Sequence, residues 1–215
     1  MLTNNINNLG QFINKAADAF LTPFVTTKPL HFIGLGDAGT NTIIDIQPKI
    51  AAAKYTCITH PYRPNLPNAI SCIDFTFPSK ESQVSKHRFF SLLDLTEPFI
   101  VPKNIADLFT DDANYVLVSG LGGATGTKLT LALTQQLAVQ EKPFVTIVYY
   151  PFAFEGIERK AIADAFINML SAVPQLYCME LESFKTEYSK QQWSELFAAV
   201  SERVASMFSL QVASC

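Results

Sequence analysis

The sequence lacks the signatures of several common protein classes. Its four cysteines are scattered along 215 residues without a CxxC pair, which argues against a zinc site or a disulfide framework. The net charge of −3 offers no basic surface for nucleic acid. No apolar run reaches the roughly 20 residues that span a bilayer, and the N-terminus has no basic flank of a signal peptide. We therefore expect a cytoplasmic protein with no membrane span and no nucleic-acid partner.

Hydrophobic residues, by contrast, are plentiful. They make up 48% of the chain, 17 of them are phenylalanines, and the mean hydropathy is +0.17, so the chain can bury a substantial core. Predicted strands alternate with helices, which is typical of a three-layer, doubly wound, mostly parallel α/β sheet of six strands. The predicted strands are residues 30–35, 54–60, 69–77, 115–119, 144–150 and 175–181. Residues 34–39 lead into a predicted helix that ends near Pro48. The later predicted helices are residues 105–110, 128–140, 156–171 and 188–210, with a short helical piece around residues 89–95.

We expect residues 1–29 to form an N-terminal amphipathic helix and a linker. Apolar side chains recur at helical spacing over residues 5–21, and the polar face carries little positive charge. Docking of this helix on the body of the protein is therefore favoured over membrane binding. Residues 30–215 contain neither a domain boundary nor an internal repeat, so we expect them to form one domain.

The clearest functional signal is a glycine cluster that directly follows the fourth strand. Gly120, Gly122, Gly123 and Gly126 are followed by helix-forming sequence. Glycines let backbone N–H groups turn towards a ligand, and a helix N-terminus adds free donors and a positive dipole end. This combination predicts an anion cradle, and the usual anion is a nucleotide phosphate.

Two other interpretations of the glycines fit less well. Residues 34–39 match the dinucleotide pattern GxGxxG, but the second strand ends in Thr59 and His60, without the carboxylate that would hold the ribose. A Walker loop needs lysine directly after its last glycine, whereas here Thr127 stands between Gly126 and Lys128. Neither pattern explains both glycine loops.

A third motif closes the fifth strand. Residues 151–156 read Pro-Phe-Ala-Phe-Glu-Gly, and Arg159 follows. With the two glycine loops in the same order, the chain from residue 30 onwards resembles the tubulin/FtsZ superfamily, and specifically the cell-division GTPase FtsZ. This resemblance implies an FtsZ-like domain that binds GTP or GDP, with Mg²⁺ as a candidate companion ion.

The resemblance also implies which residues bind the nucleotide. Glu155 would accept hydrogen bonds from the ribose, and Arg159 would lie near the sugar and phosphates. Tyr188 would stack on the base, and Gln192 would hydrogen-bond to it. The two glycine loops would contribute Gly36, Asp37, Ala38, Gly39, Asn41, Gly120, Gly122, Gly123, Ala124, Thr125, Gly126 and Thr127.

Asp37 stands where FtsZ has glycine, and two roles fit it. A carboxylate beside phosphates is repelled unless a cation lies between them, so Asp37 is a candidate Mg²⁺ ligand. It equally fits the N-cap of the following helix. The base-reading carboxylate of the family is also missing or displaced to Glu195, which weakens the expectation of guanine specificity.

The chain ends just after the predicted last helix, where FtsZ continues with an acidic loop that completes its neighbour's GTPase site. The resemblance therefore implies no catalytic residue here and at most slow GTP hydrolysis. Three functions stay open. They are a GTP-binding regulator or partner in a filament or cell-division system, a nucleotide-free scaffold on the same fold, and an unrelated enzyme that binds a phosphate ligand. The partner would be an FtsZ-type filament protein or a second copy of this chain.

The last helix predicts how the end of the chain packs. Its apolar residues, among them Trp193 and Phe197, fall on one side, and Glu195 and Glu202 fall on the other. A helix with one polar side suits a single neighbour, so we expect residues 1–215 to fold on their own with both glutamates exposed.

Overall fold

The computed structural model describes residues 27–60, 66–75, 95, 99–173, 175–187 and 193–212, with side chains in the last helix as far as residue 208. The predicted helix at residues 5–21 lies outside these ranges, as do Tyr188 and Gln192.

Six parallel strands form one sheet in the order β3-β2-β1-β4-β5-β6. This order is that of a doubly wound sheet, and it reverses direction between β1 and β4. The strands are β1 Leu30–Leu35, β2 Lys54–Thr59, β3 Ile70–Asp74, β4 Asn114–Gly120, β5 Phe144–Tyr150 and β6 Leu176–Glu180. The predicted α/β class and six-stranded sheet are confirmed, and every strand pair is parallel.

Helices cover both faces of the sheet. The described helices are α1 Gly36–Ile46, α2 Lys103–Ala106, α3 Ala124–Val139, α4 Ile157–Leu170, α5 Leu181–Glu187 and α6 Trp193–Val212. Helices α1 and α6 pack on one face, and α3 and α4 pack on the other. Two short 3₁₀ turns, Asp107–Phe109 and Ala153–Glu155, complete the described elements.

The central strands are apolar almost throughout because both of their faces are covered. In β1, Phe32 faces the α1/α6 side and Ile33 faces the α3 side, and both are fully buried. In β4, Val116 and Leu117 divide between the faces in the same way. The edge strand β3 has only one buried residue, Ile70.

Most element boundaries agree with the predictions within two residues. Strand β3 ends at Asp74 rather than at residue 77, and the predicted start of the last helix at residue 188 lies outside the described residues. Two further differences affect the site. Helix α3 begins at Ala124 rather than at residue 128, because Gly123 occupies an extended N-cap conformation and the helix starts directly after it. Helix α5 was not predicted. Seven residues are too few to show a helical period, and Leu181, expected at the end of β6, is instead the buried first residue of α5.

Helix α6 is fixed to the body by apolar packing and by one polar contact. Val204 and Phe208 are fully buried, and the ring of Phe208 meets Phe32 edge-on at 5.1 Å between centroids. The hydroxyl of Ser201 donates to Asp45 of α1 at 2.9 Å. Glu195 and Glu202 are exposed, as the pattern of the sequence predicts. No helix in the described part of the chain is long and apolar enough to cross a membrane.

At the end of the sheet where the strands begin, His31 of β1 is buried with only 1% of its surface exposed. Its Nε2 lies 2.9 Å from the hydroxyl of Thr56. Burial, and to a lesser extent the nearby Lys54 ammonium, lower the pKa of His31 to about 4, although the carboxylate of Asp111 acts in the opposite direction. His31 is therefore neutral in the folded protein at neutral pH.

Protonation of His31 predicts a loss of stability in mild acid. The unfolded chain binds this proton near pH 6.5, whereas the folded protein resists it until about pH 4. The contribution is fully present above pH 6.5 and is lost as the pH falls towards 4, by up to about 3 kcal/mol. Denaturant unfolding of the wild type and of His31→Gln should therefore show a flatter pH profile for the variant between pH 6.5 and 4. Parallel profiles would contradict this assignment.

Candidate functional site

A cavity of about 580 Å³ opens at the edge where the strands end. Residues from the exits of β1, β2, β4 and β5 line it, together with Leu181 of α5 and the first turns of α6. The cavity spans the point where the strand order reverses, between β1 and β4. In open parallel sheets this crevice is the usual place for a ligand.

The first glycine loop packs tightly between β1 and β4. Gly36 has a φ of +67° and starts α1, and it lines the cavity. Gly39 lies against the β4 backbone, where an added Cβ would stand 2.1 Å from the carbonyl oxygen of Val118. Gly39 therefore serves the packing of α1. Asn41 is exposed and does not line the cavity.

The second glycine loop presents backbone to the cavity. Gly122 has a φ of +88°, and its N–H donates to the hydroxyl of Thr127 at 2.9 Å. That bond braces the loop from behind, because Thr127 is fully buried and, like Gly122, lies outside the cavity lining. A Cβ added to Gly123 would meet no atom within 4 Å. Gly123 therefore leaves open space at the N-terminus of α3, where free N–H groups and the positive dipole end meet.

Glu155 and Arg159 lie together on the β5 side of the cavity. One carboxylate oxygen of Glu155 accepts from the backbone N–H of Phe152 at 2.9 Å, and the other accepts from the Arg159 guanidinium at 2.8 Å. Arg159 is the one arginine or lysine among the described residues that line the cavity. Glu155 thus fixes the position of Arg159, and each carboxylate oxygen retains further acceptor capacity.

Asp37 lies on the opposite side, near the end of β2. It is exposed at the cavity, and it accepts a hydrogen bond from the hydroxyl of Thr59 at 3.3 Å. Asp37 stands inside the first turn of α1, and Leu35 occupies the N-cap position without a side-chain cap hydrogen bond. The N-cap alternative for Asp37 is therefore wrong. His60, which the sequence did not single out as a binding residue, also lines this side.

Four aromatic rings, which we call the aromatic wall, line the far side of the cavity. They belong to Phe152, Phe154, Trp193 and Phe197. Phe152 and Phe154 stack at 5.1 Å between centroids with 16° between their planes, and Trp193 meets both rings edge-on at 5.4 Å. Phe154, Trp193 and Phe197 are 61%, 51% and 46% exposed. Exposed rings in a cavity suit a planar, apolar ligand surface.

The sequence prediction assigned Trp193 and Phe197 to the core side of the last helix. The structure places them one turn apart at the start of α6, where both line the cavity instead of the core. An aromatic pair at i and i+4 fits a core-facing helix side equally well, so no local pattern marked these two rings as cavity residues.

The floor of the cavity is fixed by Tyr149. Its hydroxyl is fully buried and lies 2.8 Å from the hydroxyl of Thr42, which donates to the carbonyl of Ala38 at 3.1 Å. Burial raises the pKa of Tyr149. This chain of hydrogen bonds ties β5 to α1 beneath the cavity.

The structure therefore brings most of the predicted binding residues to one cavity. Gly39, Asn41, Gly122 and Thr127 lie outside its lining, and Tyr188 and Gln192 lie outside the described residues. The predicted residues that line the cavity are Gly36, Asp37, Ala38, Gly120, Gly123, Ala124, Thr125, Gly126, Glu155 and Arg159. Among the described residues, no group of three or more His, Cys, Asp or Glu side chains is placed to hold a metal ion without the help of a ligand.

No protein-family model and no curated protein matches this sequence. Solved structures do share its fold. An empty FtsZ dimer from M. jannaschii aligns over 98% of this chain and 58% of its own, with a TM-score of 0.56 and 15% identity. A GTPγS-bound protofilament of CetZ2 from Haloferax volcanii aligns over 86% of this chain and 58% of its own, with a TM-score of 0.58 and 18% identity.

A GTPγS-form protofilament of TubZ from Bacillus thuringiensis serovar israelensis aligns over 94% of this chain and 59% of its own, with a TM-score of 0.58 and 13% identity. The chain thus spans less than three fifths of the length of each of these proteins. Identities this low establish the fold alone. The α/β sheet, its strand order and these alignments together show that the chain has the fold of the tubulin/FtsZ GTPase domain.

Proposed function

We propose that the cavity binds a guanine nucleotide and that the protein acts as a regulator or partner in a filament-forming system. The observation that carries the proposal is the order of chemical groups along the cavity. Backbone N–H groups of the second glycine loop lie in the middle, and the aromatic wall lies on one side. Asp37 and His60 lie on the other side. A nucleotide would place its base against the aromatic wall and its phosphates at the glycine loop. Its sugar would lie between them, near Glu155 and Arg159.

The length of the cavity supports a nucleotide rather than a free phosphate. Its lining runs from the exit of β2 to the first residue after β6, across five neighbouring strands. At about 4.8 Å between strands, this span is roughly 19 Å. A single phosphate would fill only the middle of it. The preference for guanine rests on the solved CetZ2 and TubZ structures, which share this fold and are described as GTPγS forms. It does not rest on a base-reading residue in the described part of this chain.

The charges of the cavity suit a phosphate group held mainly by backbone. Helices α1 and α3 both begin at the cavity, so two positive dipole ends meet there. The charge of Arg159 is balanced by its ion pair with Glu155, so the backbone donors supply most of the attraction for phosphate. The second candidate, a scaffold that binds no nucleotide, would have no use for the open space at Gly123 or for three half-exposed rings.

The binding proposal predicts that GDP and GTP raise the melting temperature and bind measurably by calorimetry, more tightly than ATP. Gly123→Asn should remove this binding, because the new side chain would fill the open space and cap the N–H groups that hold phosphate. Asparagine is a favoured N-cap residue, so the variant should keep or exceed the wild-type melting temperature without ligand. A wild-type protein that shows no heat and no thermal shift would refute the proposal, and a variant that still binds would refute the phosphate placement.

Mg²⁺ fits the cavity beside Asp37. Magnesium in nucleotide sites is usually held by one or two carboxylates together with phosphate oxygens, and Asp37 presents its carboxylate at the phosphate end. The ion would offset the negative charges of the phosphates and of Asp37.

The role of Asp37 in Mg²⁺ binding can be measured without GTP hydrolysis. Mg²⁺ should strengthen GTP binding to the wild type, whereas Asp37→Asn should bind GTP with little dependence on Mg²⁺ and at least as tightly as the wild type in EDTA, because a repulsive charge is gone. Calorimetry with Mg²⁺ and with EDTA tests both statements. An equal Mg²⁺ dependence in the two proteins would exclude Asp37 as a ligand.

We further propose that the chain alone hydrolyses GTP slowly, if at all. Phosphoryl transfer depends on an oriented water molecule and on charge stabilisation. In the described lining, the carboxylates are Asp37, assigned here to Mg²⁺, and Glu155, engaged with Arg159. A phosphate-release assay over a range of protein concentrations should stay near background, and adding an FtsZ-type filament protein should reveal any turnover that needs a partner. Brisk release by the chain alone would contradict this expectation.

A further inference from the structure

The 3₁₀ turn Ala153–Glu155 joins the aromatic wall to the pair of Glu155 and Arg159. It carries Phe154 of the aromatic wall, directly follows Phe152, and ends in Glu155, which holds Arg159. The turn contains only three residues, so its position depends on what holds its backbone.

A second carboxylate holds the turn from outside. Glu182, in the first turn of α5, accepts the backbone N–H of Ala153 through one oxygen at 3.1 Å. Its other oxygen accepts from the ammonium of Lys185 at 3.1 Å. That ammonium lies 5.6 Å from the centroid of the Phe154 ring, within cation–π range. Glu182 therefore reaches the turn twice, once through the backbone of Ala153 and once through Lys185 above Phe154.

These contacts decide where the exposed half of the aromatic wall stands. Phe154 is 61% exposed, so few core atoms restrict its ring. Among the described residues, its ring contacts Phe152, Trp193 and the Lys185 ammonium. Helix α5 is seven residues long and too short to be stable without tertiary contacts. The bond from Ala153 to Glu182 thus steadies both the turn and the helix. The pKa of the Glu182 carboxyl is lowered by the Ala153 N–H and by Lys185, in agreement with an ionised acceptor.

We propose that Glu182 is a positioning residue of the nucleotide site: by tying α5 to the turn Ala153–Glu155, it fixes the rings of Phe154 and Trp193 as the surface on which the planar group of the ligand lies. The ligand in this statement rests on the proposed function. The placement of the rings does not, because it is a property of the protein without ligand.

The chain contains a single tryptophan, Trp193, which makes the ring placement directly measurable. In the ligand-free protein, Glu182→Ala should increase acrylamide quenching of Trp193 and lower its fluorescence anisotropy, since Phe154 is released. Glu182→Gln should lie near the wild type, because the amide oxygen can still accept from Ala153. Asp107→Ala breaks a comparable exposed pair with Lys103, outside the cavity lining, and should change neither quantity.

Ligand binding distinguishes a positioning role of Glu182 from a general loss of structure in the variant. Glu182→Ala should weaken the binding of GDP by about three- to tenfold, which is the range for loss of one hydrogen-bonded contact. It should leave the affinity for inorganic pyrophosphate unchanged. Glu182→Gln should restore most of the GDP affinity. The pyrophosphate result matters because that probe occupies the glycine loop without touching the rings.

The outcomes are distinct. Unchanged Trp193 signals in Glu182→Ala would overturn the proposal. An equal loss of affinity for GDP and for pyrophosphate would overturn it too. If the wild type binds neither probe, the proposed function fails, and the Trp193 measurements alone then decide the role of Glu182.

Discussion

The structure depends on the close backbone contact between helix α1 and strand β4. At Gly39 a Cβ would stand 2.1 Å from the Val118 carbonyl oxygen, and at Gly34 it would stand 2.7 Å from the Gly39 carbonyl oxygen. No side chain fits at either position, so α1 lies directly on the sheet. Its N-terminus therefore points at the second glycine loop, where Gly36 approaches the backbone N of Gly126. Without this contact the two helix N-termini would not meet at one cavity.

The glycines of the two loops consequently have different physical roles. Gly39 and Gly126 are needed for packing, since their added Cβ atoms would overlap backbone carbonyls, whereas Gly123 is open to the cavity. A sequence pattern cannot separate these roles, because each position reads simply as glycine. For this reason the predicted set of binding residues included Gly39 and Gly122, which the structure places behind the cavity lining.

The glycine-loop side of the cavity was predictable from the sequence, and most of the aromatic side was not. Strands with near-continuous apolar residues, followed by glycine clusters, carry strong local signals of buried β-structure and of sharp turns. The aromatic wall is assembled from the exit of β5 and from the start of α6, which are about 40 residues apart in sequence. Helix α5 brings Glu182 to Ala153 across 29 residues, and no local pattern encodes that distance. Trp193 and Phe197 fitted the core periodicity of α6 equally well, so their exposure could only come from tertiary geometry.

Helix α6 joins the core to the cavity through a change of surroundings along its length. Val200, Val204 and Phe208 are buried against α1 and the sheet, and Ser201 is hydrogen-bonded to Asp45. One to two turns earlier the same helix side emerges beyond the strand ends, and its residues become Trp193 and Phe197. Because the segment from Val200 to Phe208 is fixed by close packing, the Cα atoms of Trp193 and Phe197 are fixed relative to β1 and α1. Their side-chain orientation is not fixed in this way, since half of each ring faces open space. The contacts that Phe154 receives from Lys185 and Phe152 supply this remaining constraint. The aromatic wall thus combines a rigid base from the core with a rim that is held by polar contacts between α5 and the turn after β5.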